Sequence, residues 1–281
     1  SDAIASYYTN VGKKLQIGSS QFKGTLGVTL NGNLDGKPVF IKSHKPSAFH
    51  KFNLDKEFLF LNNIYGDSLF LQKIPVHILG SQFSVIVMEE LCGDITFDSP
   101  EEGVTAIDSC IAGLEKASSK LEHHRESLVQ TGYCFSFLYR KASFALNFLE
   151  SRSLIDNKLK QRLEHTLTNH GPEALSEQYF CHGDLSSKNI MLLGMNPVLV
   201  DWEDAMLGNK IFDICYWLTF MEQRKHYSST YFREFAQKNS DVLFYMSTIL
   251  LLKGYLSVLD GSISRNSVSI QERIEELYNF V

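Results

Sequence analysis

The chain has 281 residues, 44% of them hydrophobic and 21% charged, with a net charge of −5. That length fills one large domain or two lobes with ample core. The ordinary composition and slight acidity give no support to nucleic-acid binding, which usually shows a basic stripe.

In chain order, the opening SDAIASYYTN has no basic stretch ahead of an apolar core, so it does not read as a signal peptide. KLQIGSS, GTLGVTL and KPVFIKS read as three strands, with Gly24, Asn31-Gly32 and Asp35-Gly36 as tight-turn residues. A helix is predicted over about 52–65, where Leu54, Phe58, Leu61 and Ile64 recur at helical spacing. PVHILG and FSVIVMEEL read as two more strands. After Gly93 the amphipathic patterns of VTAIDSCIAGLEKASSKLEHH, FLYRKASFALNFLES and NKLKQRLEHTLTN predict helices. Strands return only at NIMLLGMNPVLVDWE, and helices resume from Phe212 onward. Among these, the run STILLLKGYLSVL is too short and interrupted to span a bilayer. The five cysteines, odd in number and without a CxxC pair, argue against a disulfide framework or zinc site. They read as small buried hydrophobes in a reducing, cytoplasmic compartment. The expected organisation is α+β: an antiparallel sheet-rich lobe over 1–91, then a larger, mainly helical lobe over 92–281. ELCGDITFDSP serves as the hinge.

The stretch FCHGDLSSKNIMLLGMNPVLVDWEDA places His182, Asp184, Asn189 and Asp201 among apolar residues. Burying such groups is costly unless they bind or move something. HGDLSSKN reads as a loop entering a strand, NPVLV as the returning strand, and Asn196-Pro197 as the turn. Asn189 and Asp201 then lie near opposite ends of one hairpin, and Asp184 sits on a loop that can fold back to the same point. Oxygen-bearing side chains gathered in this way suit Mg²⁺ beside a hydroxyl substrate. That ion takes carboxylate and carbonyl oxygens and completes its shell with waters and nucleotide phosphates.

HGDxxxxN followed by an apolar strand ending in DWE resembles the aminoglycoside phosphotransferase and choline kinase family, which shares the protein-kinase fold. The segment is similar to the kinase pair H-R-D-x-x-x-x-N and D-F-G, with Gly183 in place of Arg and Trp202-Glu203 in place of Phe-Gly. The resemblance implies a bilobal kinase-like fold. Asp184 would orient the acceptor hydroxyl and accept its proton, while Asn189 and Asp201 would hold Mg²⁺. It makes His182 a brace within the loop, and Asp213 the aspartate that ties the loop down through backbone N–H bonds. It also demands a lysine on the third strand and a glutamate on the next helix. Lys42 ends KPVFIK, and Glu57 falls on the apolar face between Leu54 and Leu61. IGSSQFKG has no GxGxxG pattern, which leaves Ser19 and Ser20 as candidates for phosphate contacts. Met88, Glu89 and Leu91 stand at the lobe connection, where the resembling fold reads the adenine edge with backbone groups. The implied cofactors are ATP, or GTP, and Mg²⁺.

Asp213 follows Asp201 by twelve positions (213 − 201), and no A-P-E occurs. A protein kinase needs an activation segment there, so the expected acceptor is a hydroxyl group of a small molecule. The alternative, an inactive kinase-like nucleotide-binding or scaffold protein, would have lost one of Lys42, Asp184, Asn189 or Asp201. All four are present. Glu203, Asp204 and Glu222 would suit a polycationic aminoglycoside, whereas Tyr216, Trp217 and Tyr227 could cage choline through cation–π contacts. A sugar, nucleoside or amino-alcohol stays open.

Overall fold

The computed structural model describes residues 2–23, 27–44, 52–78, 80–91, 97–170, 172–265 and 267–280. Helix α1 (Asp2–Asn10) precedes strands β1 (Leu15–Lys23), β2 (Gly27–Leu34) and β3 (Lys37–His44). Helix α2 (Phe52–Tyr65) and strands β4 (Leu71–Ile78) and β5 (Ser81–Glu89) follow. Next come α3 (Pro100–Leu121), α4 (Arg125–Gln130), α5 (Phe135–Ser151) and α6 (Asn157–Thr168). Four short strands are β6 (Tyr179–Cys181), β7 (Ile190–Leu193), β8 (Asn196–Leu199) and β9 (Met206–Gly208). Helices α7 (Phe212–Leu218), α8 (Thr230–Lys238), α9 (Val242–Leu259) and α10 (Ile270–Phe280) come last. The fold is α+β, with an antiparallel sheet in the N-terminal part and a helical C-terminal part. Its residues fall into two compact units. One takes 1–95, 112–121 and 188–205, and the other takes 96–111, 122–187 and 206–281.

In the first unit the strand order is β1-β2-β3-β5-β4, every neighbour antiparallel. Asp35 (φ 52°) and Gly36 (φ 90°) close the β2–β3 hairpin, with both φ values positive as a type I′ turn requires. Side chains alternate across a sheet, and this decides what each face carries. Val39 and Ile41 on β3 and Val85 and Val87 on β5 point to one face, where they pack with Ile4 and Tyr8 of α1 and with Ile74 and Val76. Phe40 and Lys42 therefore point to the other face, opposite Met88 and Ile86 in register. The two-residue period thus separates an apolar core from the face that carries Lys42 within a single strand.

Helix α2 has the bounds that its apolar spacing predicts, and Leu54, Phe60 and Leu61 are buried. Asn31-Gly32 is not a turn: both residues lie inside β2, paired with Phe40 and Val39. A Cβ on Gly32 would come 2.9 Å from the Gln16 carbonyl oxygen, so the glycine serves the close approach of β1. Asn196-Pro197 is not a turn either. Both belong to β8, and Gly194 and Met195 form the β7–β8 turn, Gly194 at φ 63°. Of the segment expected to act as hinge, residues 92–96 lie outside the described residues, as does Gly24.

The second unit is built on α9, which packs against α5, α6, α7 and α10. Phe135 of α5 meets Phe212, Phe244 and Tyr245 at ring-centre distances of 5.6, 5.6 and 4.9 Å. Such edge-on contacts add to plain area burial. By length and apolar content α9 is sufficient to cross a membrane, which corrects the view of its sequence as too short. Its buried residues instead fill the core of this unit. Strands β6 and β9 pair antiparallel, Tyr179 with Gly208 and Cys181 with Met206. Cys110, Cys134, Cys181 and Cys215 are buried free thiols, while Cys92 lies outside the described residues.

Trp202 is fully buried, stacks on Phe60 at 5.3 Å and donates Nε1–H to the Leu199 carbonyl at 2.8 Å. Trp202→Ala is expected to cost about 3–5 kcal/mol, the usual range for emptying a buried aromatic site. Urea denaturation of the variant beside the wild type measures it.

Candidate active site

Strand β3 delivers Lys42 to the face opposite the apolar core, and α2 brings Glu57 to the same side. Lys42 Nζ lies 2.7 Å from Glu57 Oε2 and 2.5 Å from Asp201 Oδ1. Glu57 is only 3% exposed, so its charge depends on that ammonium. Burial alone would lower the pKa of Lys42. The carboxylates of Glu57, Asp201 and Glu203 outweigh it and hold the group above the ordinary lysine value.

Asn189 and Asp201 flank the β7–β8 hairpin at its open end, where Val200 N donates to the Asn189 carbonyl at 2.9 Å. The Tyr65 hydroxyl at the end of α2 accepts the Leu199 N–H at 2.7 Å and ties the hairpin to the helix. Asp201 has a left-handed backbone, φ 67° and ψ 51°, which asparagine and aspartate tolerate better than most residues. Lys42, Glu57, Asn189 and Asp201 line one cavity of about 330 Å³, within the usual range for a ligand site. Thr29, Asn31, Phe40, Met88, Met191 and Val200 complete much of its wall. Glu89 and Leu91 also line it. The donors fit a hard cation, because an amide oxygen and a carboxylate at one hairpin end match the few protein ligands that Mg²⁺ takes. Ser19 and Ser20 lie in β1, but their side chains fall outside what is described.

In the second unit, β6 leads into His182, which is fully buried. The N–H groups of His182 and Gly183 donate to Asp213 Oδ2 and Oδ1 at 2.8 and 3.1 Å. His182 Nδ1 in turn accepts the Asp184 N–H at 3.3 Å. Gly183 has φ 86°, which is why glycine stands between the histidine and the aspartate. Burial pushes the Asp213 carboxyl up to about 6. The two N–H bonds oppose the rise, and the charge of Asp184 adds to it.

The acceptor-binding candidates divide. Trp217 is buried, with Nε1–H donated to Ser187 Oγ at 3.1 Å, and Tyr227 is buried, with its hydroxyl donated to the Leu218 carbonyl at 2.9 Å. Both belong to the packing of the unit. Burial raises Glu203 to about 7, against the pull of Lys42 and with the help of Asp201. Lys56 donates to the Ala205 carbonyl at 3.1 Å and is lowered by burial to about 7, despite Asp204 and Glu203. Glu222 is exposed.

Sequence reasoning missed Thr29, Asn31 and Phe40, although cross-strand parity with Lys42 marks all three: Lys42 pairs with Thr29, and Phe40 with Asn31. It also missed Lys253 on α9. This ammonium donates to Thr219 Oγ1 at 2.9 Å and lies over the rings of Phe220 and Tyr216, 3.5 and 4.3 Å from their centres. Burial lowers it to about 7, with Arg273 adding to the fall and Asp184 and Glu222 opposing it. An unfolded lysine keeps the ordinary value of 10.5. Between those two values the unfolded chain therefore holds the extra proton, and this group makes stability rise with pH. Lys253→Met removes that contribution. Its gain over the wild type is expected to be largest below about pH 7 and to fade toward about pH 10, as urea titrations at both ends measure.

Residues 121–242, which carry Asp184, Asn189, Asp201 and Asp213, match the phosphotransferase enzyme family. No curated protein sequence matches the chain significantly. Among solved structures, a thermostable mutant of aminoglycoside phosphotransferase APH(4)-Ia, in ternary complex with AMP-PNP and hygromycin B, is similar. It has a TM-score of 0.64 at 12% identity over 100% of this chain and 99% of that one. Spectinomycin phosphotransferase APH(9)-Ia, in complex with ADP and spectinomycin, reaches 0.53 at 14% identity, over 95% and 88%. An ethanolamine kinase of Plasmodium vivax also reaches 0.53 at 14% identity, over 96% and 82%. Residues 121–242 thus resemble the phosphotransferase enzyme family, and the chain shares its fold with aminoglycoside phosphotransferases and an ethanolamine kinase.

Proposed function

We propose that the chain transfers the γ-phosphate of ATP to a hydroxyl group of a small molecule. The observation that carries this reading is the Lys42 ammonium, held between Glu57 and Asp201 on a cavity with apolar walls. The purine lies between apolar side chains such as Phe40, Met88 and Met191. The amides of Glu89 and Glu90 already bond the Phe70 and Pro38 carbonyls, so the base edge is assigned to the carbonyls of this segment and to the Leu91 amide.

Lys42 neutralises phosphate oxygens, and Glu57 keeps it charged and aimed. Asn189 and Asp201 would hold Mg²⁺, which when bound offsets the charge on the phosphate oxygens. Asp184 hydrogen-bonds the acceptor hydroxyl. The acceptor oxygen forms a bond to the γ-phosphorus as the bond to the β–γ bridging oxygen breaks, and ADP departs with that electron pair. The hydroxyl proton passes to Asp184. His182, Gly183 and Asp213 act only through the position they give this loop. Positioning and electrostatics supply the rate, with little covalent work for the protein.

ATP consumption against a panel of aminoglycosides, choline, ethanolamine, sugars, nucleosides and hydroxy acids tests the reading. Acceptor-dependent turnover is expected, and Asp184→Asn should lower it by about 10²–10⁴, the usual worth of a positioned base. Absence of both turnover and Mg·ATP binding would overturn it.

A further inference from the structure

Two cations converge on Thr219 in the second unit. Lys253 Nζ from α9 donates to its hydroxyl at 2.9 Å, and Arg273 Nη2 from α10 donates to its carbonyl at 2.5 Å. Both groups are partly buried. Among the described residues, neither has a carboxylate within ion-pair distance, whereas the nearby Arg224 pairs with Glu276 at 2.6 Å. Bringing two like charges together away from water is costly without opposite charge, and nothing in this cluster offsets it at contact range. The cluster also lies within the electrostatic reach of Asp184, whose charge acts on Lys253. In the phosphotransfer reading, an acceptor hydroxyl must sit at Asp184, so the rest of a small acceptor falls in the field of this pair.

The aromatic faces nearby lead to the same conclusion. A quaternary ammonium acceptor would need an aromatic cage. The rings of Phe220 and Tyr216 already hold the ammonium of Lys253. A polycationic acceptor would meet like charge.

We propose that the acceptor carries an anionic group, a carboxylate or a phosphate beside its hydroxyl, and that Lys253 and Arg273 hold that group. The inference rests on the phosphotransfer reading for its hydroxyl chemistry, but the anion site itself is testable without nucleotide.

Four probes on one three-carbon skeleton separate the charge classes: glycerol, serinol, glycerate and glycerol 3-phosphate. Calorimetric binding to the wild type, without and with Mg·ATP, is expected to favour glycerate or glycerol 3-phosphate over glycerol and serinol by at least about tenfold, as charge-assisted bonds do. The better of the two anions distinguishes carboxylate from phosphate. Lys253→Met and Arg273→Gln should each erase most of that preference while leaving Mg·ATP binding unchanged, and Lys253→Arg should restore it in part. A purely structural role would instead move Tm and leave the ratio between probes intact. Equal binding of all four probes, preference for serinol, or an anion preference that survives both substitutions overturns the proposal. Failure of the phosphotransfer reading is distinct, because it removes Mg·ATP binding whichever probe binds.

Discussion

An ammonium group on a mostly buried strand needs opposite charge beside it, and the first unit is organised to supply that charge to Lys42. Its direction is set by residues that never touch it. Val39 and Ile41 are locked into the core on the other face of β3, so the residues between and beyond them must point away. Glu57 is fixed in the same manner by Leu54, Phe60 and Leu61 on α2. Asp201 arrives on the β7–β8 hairpin, which the Tyr65 hydroxyl holds to that helix. A hydrophobic core thus determines where three charges meet. Removal of either carboxylate would leave the lysine with a weaker counter-charge and the remaining partner less well neutralised.

The second unit solves a related problem with a single buried carboxylate. Asp213 has no cation at contact range among the described residues; it is held instead by two successive backbone N–H groups. Those bonds fix the peptide planes on either side of His182, whose side chain then receives the amide of Asp184. The loop is set by dipoles rather than by ion pairs. This suits a place where an additional full charge would compete with Asp184 for whatever it binds.

Much of this was legible in the sequence where a pattern is long or chemically costly. Helix α2 repeats its apolar spacing over four turns, and Lys42, Asp184, Asn189 and Asp201 are polar groups at defined offsets. Short-range turn chemistry was less reliable. Asn31-Gly32 has the composition of a hairpin turn, yet the approach of β1 demands a glycine inside the strand. Asn196-Pro197 is likewise strand, because Gly194 takes the positive φ that the turn needs. Strands β6 and β9 are three residues each, too short to show a period. Lys253 was hidden in a run of leucines, where one cation looks like an interruption. Its meaning depends on Thr219 and Arg273, which are distant in sequence.

The left-handed backbone of Asp201 bears on how this protein can change by inheritance. Most side chains at that position carry a conformational penalty as well as the loss of a carboxylate, so their effects on folding and on chemistry arrive together. Asparagine is the exception: it tolerates the same φ and ψ, nearly matches the shape, and lacks only the charge. An aspartate codon becomes an asparagine codon through one base substitution. A folded relative of this chain that has lost the negative charge beside Lys42 therefore lies a single step away, and the charge of this cavity can change by inheritance without a change in backbone.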